Sequence, residues 1–167
     1  MVSVGHEFPD FQMEACNKEN EILTVGRVPD QWAVYYFYPK DFTFICPTEI
    51  SGMDILVDNA RVLGISGDNE WCKLAWKQSN ELIGDINHTL AADSGLYLAE
   101  ECGVVNEEEG VCYRATFIVD PNNIVQHVSV NALDTGRNAE EIQRTLQALK
   151  AGGLTGCAWQ PEDDFVA

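Results

Sequence analysis

Apolar residues in this chain come in short runs separated by polar turns, and two of the runs have almost no polar break. Within residues 30–40, Ala33-Val34-Tyr35-Tyr36-Phe37-Tyr38 is continuous and stops at Pro39. A strand covered on one face alternates apolar with polar side chains, whereas an unbroken run marks a strand covered on both. Arg61-Val62-Leu63-Gly64-Ile65-Ser66 has the same character. Between them, Pro47 to Ala60 carries Ile50, Met53, Ile55, Leu56 and Val57 at mixed spacing, compatible with a helix. Pro47 suits the first helical turn, where its missing N–H costs nothing, and Gly52 weakens the segment slightly. Asn69 to Ile83 reads as a second helix, with Trp71, Leu74, Ala75, Trp76 and Leu82 as its apolar stripe and Asn69 as its cap.

Further along, Thr89 to Ala92 predicts a short strand and Leu96 to Cys102 a short helix. Glu107-Glu108-Glu109-Gly110 has the composition of an acidic, hairpin-like turn leading into the strand Tyr113–Val119. Asp120-Pro121-Asn122-Asn123 is turn chemistry, so Ile124 to Val130 is expected to return as the partner strand. Asn138 to Ala151 places Ile142, Leu146 and Leu149 on one helical face, and Gly152-Gly153 ends it. Strand, helix, strand, helix, hairpin and helix make an α/β sandwich with a mixed central sheet flanked by helices. The pattern by itself leaves several α/β folds open. The division expected is one domain over 1–152, with an N-terminal extension, and a polar, mobile tail over 153–167.

Composition narrows the function classes. The 27 Asp and Glu outnumber the 10 Lys and Arg, for a net charge of −17. Phosphate contacts need clustered cations, so nucleic acid and anionic membrane are poor partners. The N-terminal residues lack a basic, then apolar, leader pattern, and no apolar run is long enough to span a bilayer. The expectation is a reducing, cytoplasmic compartment. Six cysteines (16, 46, 72, 102, 112 and 157) include no CxxC pair. A structural zinc site would need ligands gathered from scattered positions, and none is expected.

The most informative stretch is Tyr38-Pro39-Lys40-Asp41-Phe42-Thr43-Phe44-Ile45-Cys46-Pro47-Thr48-Glu49-Ile50. A strand ends at Pro39, a short loop follows, and Cys46 falls where the next helix begins. Unpaired N–H groups and a positive partial charge at a helix start favour a thiolate, the reactive form of cysteine. Thr43, three residues upstream, can bring a hydroxyl beside the sulfur. A lone cysteine at a helix start is more often a packing residue, but its neighbours here change that. Pro39-x-x-x-Thr43-x-x-Cys46 matches the peroxiredoxin active-site motif, and Phe42 to Glu49 resembles the typical two-cysteine branch, most closely the alkyl hydroperoxide reductase catalytic subunit type. Gly64-Ile65-Ser66, Tyr113 to Pro121 and Gly136-Arg137-Asn138 extend the resemblance over nearly the whole chain.

The resemblance implies a thioredoxin-like fold, in agreement with the element order. It also implies a thiol-dependent peroxidase that reduces hydrogen peroxide and organic hydroperoxides without metal or organic cofactor. Cys46 would be the peroxidatic cysteine, with Pro39 and Thr43 shaping its pocket. Arg114 would supply a second donor and keep the sulfur ionised, and Glu49 with Arg137 would orient Arg114. An arginine inside the apolar run 113–119 is unusual on any reading. Resolution by a cysteine from a partner subunit is implied too, with a homodimer or a ring of dimers and a dithiol reductant (a thioredoxin-like protein or a flavoprotein reductase). Here the chain departs from the pattern. Aligned on Trp159, the usual resolving position is Thr155, and Cys157 lies two residues later. Cys157 is the candidate, and Cys112 stays open because it shares strand parity with Arg114. Cys16, Cys72 and Cys102 read as packing residues.

Two other functions remain open. A thiol–disulfide oxidoreductase on the same fold would normally carry the missing CxxC pair. A holdase chaperone would retain its activity when Cys46 is replaced by serine. Peroxiredoxins prone to overoxidation carry a Gly-Gly-Leu-Gly insertion and a C-terminal Tyr-Phe, and this chain has neither. It is therefore expected to resist conversion of Cys46 to sulfinic acid. Mass spectrometry at low peroxide, run against a relative with both motifs, checks this, and equal sulfinic accumulation would contradict it.

Overall fold

A computed structural model describes residues 1–167. Nine strands and four α-helices follow in the order β1 (Gln12–Cys16), β2 (Ile22–Gly26), β3 (Ala33–Phe37), α1 (Cys46–Met53), β4 (Arg61–Ser66), α2 (Glu70–Ser79), β5 (Thr89–Ala92), α3 (Tyr97–Cys102), β6 (Val105–Asn106), β7 (Val111–Cys112), β8 (Arg114–Val119), β9 (Val125–Asn131) and α4 (Ala139–Ala151). Seven strands form one mixed sheet in the order β2-β1-β5-β4-β3-β8-β9. Strand β3 pairs parallel with β4 and antiparallel with β8, and β4 pairs parallel with β5. This is the α/β, thioredoxin-like arrangement expected from the sequence. The small β6–β7 hairpin closes around the acidic turn at Glu107–Gly110.

Every residue of β3 is buried, as an unbroken apolar run requires. Its side chains alternate between two cores. Tyr35 and Phe37 join Phe8, Leu63, Ile65, Leu98 and Phe117 on one face. Val34, Tyr36 and Tyr38 join Cys46, Ile50, Met53, Trp76, Ile118, Ile142 and Leu146 on the other. Helices α1, α2 and α4 therefore cover the face that holds Cys46. Asn138 caps α4 by accepting from the Glu141 N–H at 3.1 Å, and Gly152 closes it in the left-handed region at φ 74°.

Several sequence expectations shift. The first helix is shorter than Pro47–Ala60: it tightens into a 3-10 turn at Asp54–Leu56. There the Asp54 carboxylate accepts from the backbone and side-chain amides of Asn87 and pairs with His88. The second helix stops at Ser79 rather than Ile83, because Asn80 is extended and its side chain takes the Leu82 N–H instead. The inner face of α2 is Lys73, Trp76 and Lys77, while Trp71 is exposed. The N-terminal extension forms the β1–β2 hairpin, which extends the sheet beyond β5. The tail over 153–167 has no helix or strand. Trp159 nevertheless buries itself, its carbonyl accepts from Arg144, its ring stacks on Phe165, and the Val166 N–H returns to the Leu154 carbonyl.

Gly64, in the middle of the sheet, is fixed by space. A Cβ there would stand 2.5 Å from Tyr36 Oη and 2.9 Å from Leu90 Cδ2. Tyr36 cannot easily move, because its hydroxyl is bonded to buried His88 at 2.7 Å. Gly64→Ala is expected to cost about 1–3 kcal/mol through overpacking, read as a lower midpoint in urea denaturation at unchanged slope. An unshifted midpoint would mean that the sheet gives way here.

Candidate functional site

Cys46 is the first residue of α1, with Pro47 next and no side chain capping the helix start at Ile45. Pro47 has no N–H, and those of Thr48 and Glu49 go to the Ile45 carbonyl, so the helix start offers the sulfur its partial positive charge rather than a free donor. Cys46 is 1% exposed. Its Sγ accepts one hydrogen bond, from Arg114 Nη1 at 3.3 Å, across 68 residues of chain.

Arg114 reaches the sulfur because β8 lies beside β3. Arg114, Thr116 and Ile118 alternate onto the α1 face, while Ala115, Phe117 and Val119 face the opposite core. The guanidinium is 6% exposed and is held at two further points. Its Nη1 also pairs with Glu49 Oε1 at 2.5 Å, and its Nε donates to the Leu133 carbonyl at 2.7 Å. Burial alone would depress the guanidinium. The sulfur and the Glu49 carboxylate outweigh burial and hold its pKa above the ordinary arginine range, so it stays a cation.

Glu49, one turn into α1, shares its carboxylate between two arginines. Its second oxygen accepts from Arg137 Nε at 2.6 Å and from the Arg137 N–H at 3.0 Å. Arg137 then spends its remaining donors on the Ala115 carbonyl, Thr116 Oγ1 and the Phe37 carbonyl, and it stacks over the Tyr36 ring. No buried side-chain nitrogen or oxygen anywhere in the molecule lacks a partner. The chain Arg137–Glu49–Arg114–Cys46 is therefore a saturated network that aims one guanidinium edge at one sulfur.

Pro39 is half-buried at the end of β3, and Thr43 lies in the loop before α1. Thr43 Oγ1 donates its proton to the Lys40 carbonyl at 2.7 Å, which leaves its lone pairs free to accept. A cleft lined by Thr48, Glu49 and Arg137 adjoins the network, and another is lined by Pro39 and Lys40. The widest, about 540 Å³, is lined by Asp10, Glu14, Asp93 and Tyr97.

The remaining cysteines separate clearly. Cys112 does not share a face with Arg114. The chain makes a tight turn at Tyr113, where the Ala115 N–H bonds back to the Tyr113 carbonyl, and this breaks strand parity. Cys112 points into the opposite core with Phe8 and Phe117, where burial pushes its thiol up to about 12. Cys102 lies in that core too, raised by burial to about 12. Cys16 is buried at the end of β1. Cys72, half-buried, is raised to about 11 by burial and by Asp41 and Asp68. Cys157 alone is exposed, and all six are free thiols.

Three side chains of consequence carry no sequence signal of their role. Asp41 and Lys73 form a fully buried ion pair at 3.3 Å beside the loop that carries Thr43. Asp41 sat inside the quoted motif, and Lys73 lies three residues before buried Trp76, the helical spacing that marks an inward position. His88, which has no motif around it, proves to be a buried link between Tyr36 and Asp54.

The family model described as "AhpC/TSA family" matches residues 4–128. Alkyl hydroperoxide reductase C of Mycolicibacterium smegmatis is 36% identical, over 99% of this chain and 94% of its own length. The reduced 2-Cys peroxiredoxin of Plasmodium vivax superposes with a TM-score of 0.91 at 34% identity, covering 98% of this chain and 92% of that one. The AhpC structure from Enterococcus faecalis gives 0.85 at 34% identity, over 90% and 94%. A sulfur at an uncapped helix start, a buried arginine brought to it by the sheet, and likeness over nearly the full length lead to one assignment: the chain belongs to the AhpC/TSA family of peroxiredoxin enzymes, the thiol peroxidases.

Proposed function

We propose that Cys46 is the peroxidatic cysteine and that its oxidised form is resolved by Cys157 of a second copy of this chain. The observation that carries the first part is the Arg114 guanidinium, 3.3 Å from Cys46 Sγ and unable to turn away because Glu49 and Leu133 hold it. The thiolate attacks the nearer oxygen of a hydroperoxide. A sulfur–oxygen bond forms as the oxygen–oxygen bond breaks, and the departing oxygen leaves with the bonding pair and takes a proton, giving water or an alcohol. Cys46 is left as a sulfenic acid. Charge that starts on sulfur ends on the leaving oxygen, so a fixed cation beside the path stabilises the transition state without reorganising. Thr43, its own proton committed to the Lys40 carbonyl, is suited to accept the peroxide O–H. Pro39 closes the pocket wall, and Glu49 with Arg137 keeps Arg114 aimed.

In the second step a thiolate attacks the sulfenic sulfur, hydroxide leaves as water, and a disulfide forms. Cys157 suits this step because it is the one exposed cysteine, whereas Cys112 is locked in the far core. A disulfide needs Cα atoms within about 7 Å, so a buried Cys46 and a tail docked through Trp159 must both loosen. Release of the Trp159 contacts together with local unwinding of α1 would supply that freedom. A dithiol protein returns the two electrons, and the functional unit is at least a homodimer.

One equivalent of hydrogen peroxide should therefore give a Cys46–Cys157 cross-link between chains, identified by peptide mass mapping and seen as a dimer on a non-reducing gel. Cys46→Ser should consume no peroxide while any holdase activity persists. Cys157→Ser should leave a sulfenic acid on Cys46 that dimedone traps. Peroxide turnover by the Cys46→Ser chain, or a cross-link through Cys112, would contradict the reading.

A further inference from the structure

The loop joining β3 to α1 carries Pro39 and Thr43, yet Pro39 to Phe44 take part in no backbone–backbone hydrogen bond. Phe42 sits in the left-handed region at φ 59°, a conformation that needs support in a residue with a large side chain. Its ring rests on Trp76 at 5.9 Å. The polar anchorage runs through Asp41. Its N–H donates to Asp68 Oδ2 at 2.8 Å, and its carboxylate accepts from Tyr38 Oη at 2.6 Å.

Lys73, from α2, completes the site. Its ammonium donates to Ser66 Oγ at 2.6 Å and Tyr38 Oη at 3.0 Å, and it lies 3.3 Å from each Asp41 oxygen. Both side chains are 0% exposed. Three ammonium protons thus meet three partners, each on a different segment: the end of β4, the residue after β3, and the loop. Burial pushes the Asp41 carboxyl up, and Lys73 opposes that most strongly. Without the ammonium, this carboxylate would have to take a proton or leave the site. The thiolate chemistry proposed above uses neither residue directly.

We propose that Lys73 is a positioning residue for the peroxide pocket: by fixing Asp41 it holds the 39–44 loop, and with it Thr43, in register with the start of α1. The inference rests on the peroxidase reading and adds the device that sets the pocket's shape. Lys73 touches neither sulfur nor peroxide. Its effect should therefore appear in reactions that need the pocket and not in general attack by the sulfur.

The test compares two rates at Cys46, oxidation by hydrogen peroxide and alkylation by iodoacetamide, in Lys73→Met and the wild-type chain. The peroxide rate constant is expected to fall about tenfold or more, with alkylation changing less than about twofold. Lys73→Met/Asp41→Asn should be no slower than Asp41→Asn alone, since the lysine acts through that carboxylate. A smaller loss in peroxide rate, or matched losses in both reactions, would overturn the proposal. Should Lys73→Met not fold, Asp68→Ala decides by the same two rates, because it removes the acceptor of the Asp41 N–H at a half-exposed position. Failure of the parent reading is distinct: it would show as peroxide consumption that survives Cys46→Ser.

Discussion

A single guanidinium edge shared between a sulfur and a carboxylate organises this molecule's chemistry. Arg114 Nη1 serves both Cys46 Sγ and Glu49 Oε1, so the cation is held by one group while it acts on another. Magnitudes explain why both the helix and the arginine are present. A helix start stabilises an adjacent anion by about 0.3–1 kcal/mol, reaching about 2 when partly buried. A hydrogen bond to a charged group contributes about 1.5–3 kcal/mol. Each is smaller than the several kcal/mol that burying an ion costs, which is why the proposed thiolate chemistry calls on both. Glu49 matters for the same reason. Removing one partner from a buried pair leaves the other uncompensated, at about 3–5 kcal/mol, so the network holds its geometry or loses it as a unit.

The fold supplies what local sequence cannot, which is the meeting of two residues 68 positions apart. Antiparallel pairing of β3 with β8 sets Tyr36 opposite Thr116. Arg114 then projects past the end of β3, onto the face where α1 begins. Arg137 ties the same strands together through the carbonyls of Phe37 and Ala115. Architecture and candidate site are in this sense one hydrogen-bond network, built on the sheet and ending at the sulfur.

Legibility in the sequence followed how local each determinant is. The buried strand at residues 33–38, the cysteine at the helix start and the hairpin turn at Asp120–Asn123 depend on short-range pattern and were readable. So was Arg114, because a cation within an apolar run has to be explained. The β1–β2 hairpin has no strong local signal: its inward residues are few, and its pairing with β5 is set from 74 residues away or more. The facing of Cys112 failed for a different reason. Parity carries across a strand only if no turn interrupts it, and Tyr113 makes one. By residue type, Lys73 and Lys77 carry no local signal of their burial. Whether a lysine can point inward depends on acceptors such as Asp41 and the Asn17 carbonyl, which lie elsewhere in the chain. Contacts that close the tail, between Trp159, Arg144 and Phe165, are equally nonlocal.

The central claim is that a fixed cation beside Cys46 lowers the barrier to attack on a peroxide. Its most direct measurement is the stopped-flow rate of Cys46 oxidation in Arg114→Gln, with circular dichroism to verify the fold. Loss of one preorganised donor at a developing oxyanion predicts a fall of about 10²–10³-fold. A rate within about threefold of the wild-type chain, in a folded protein, would contradict the account.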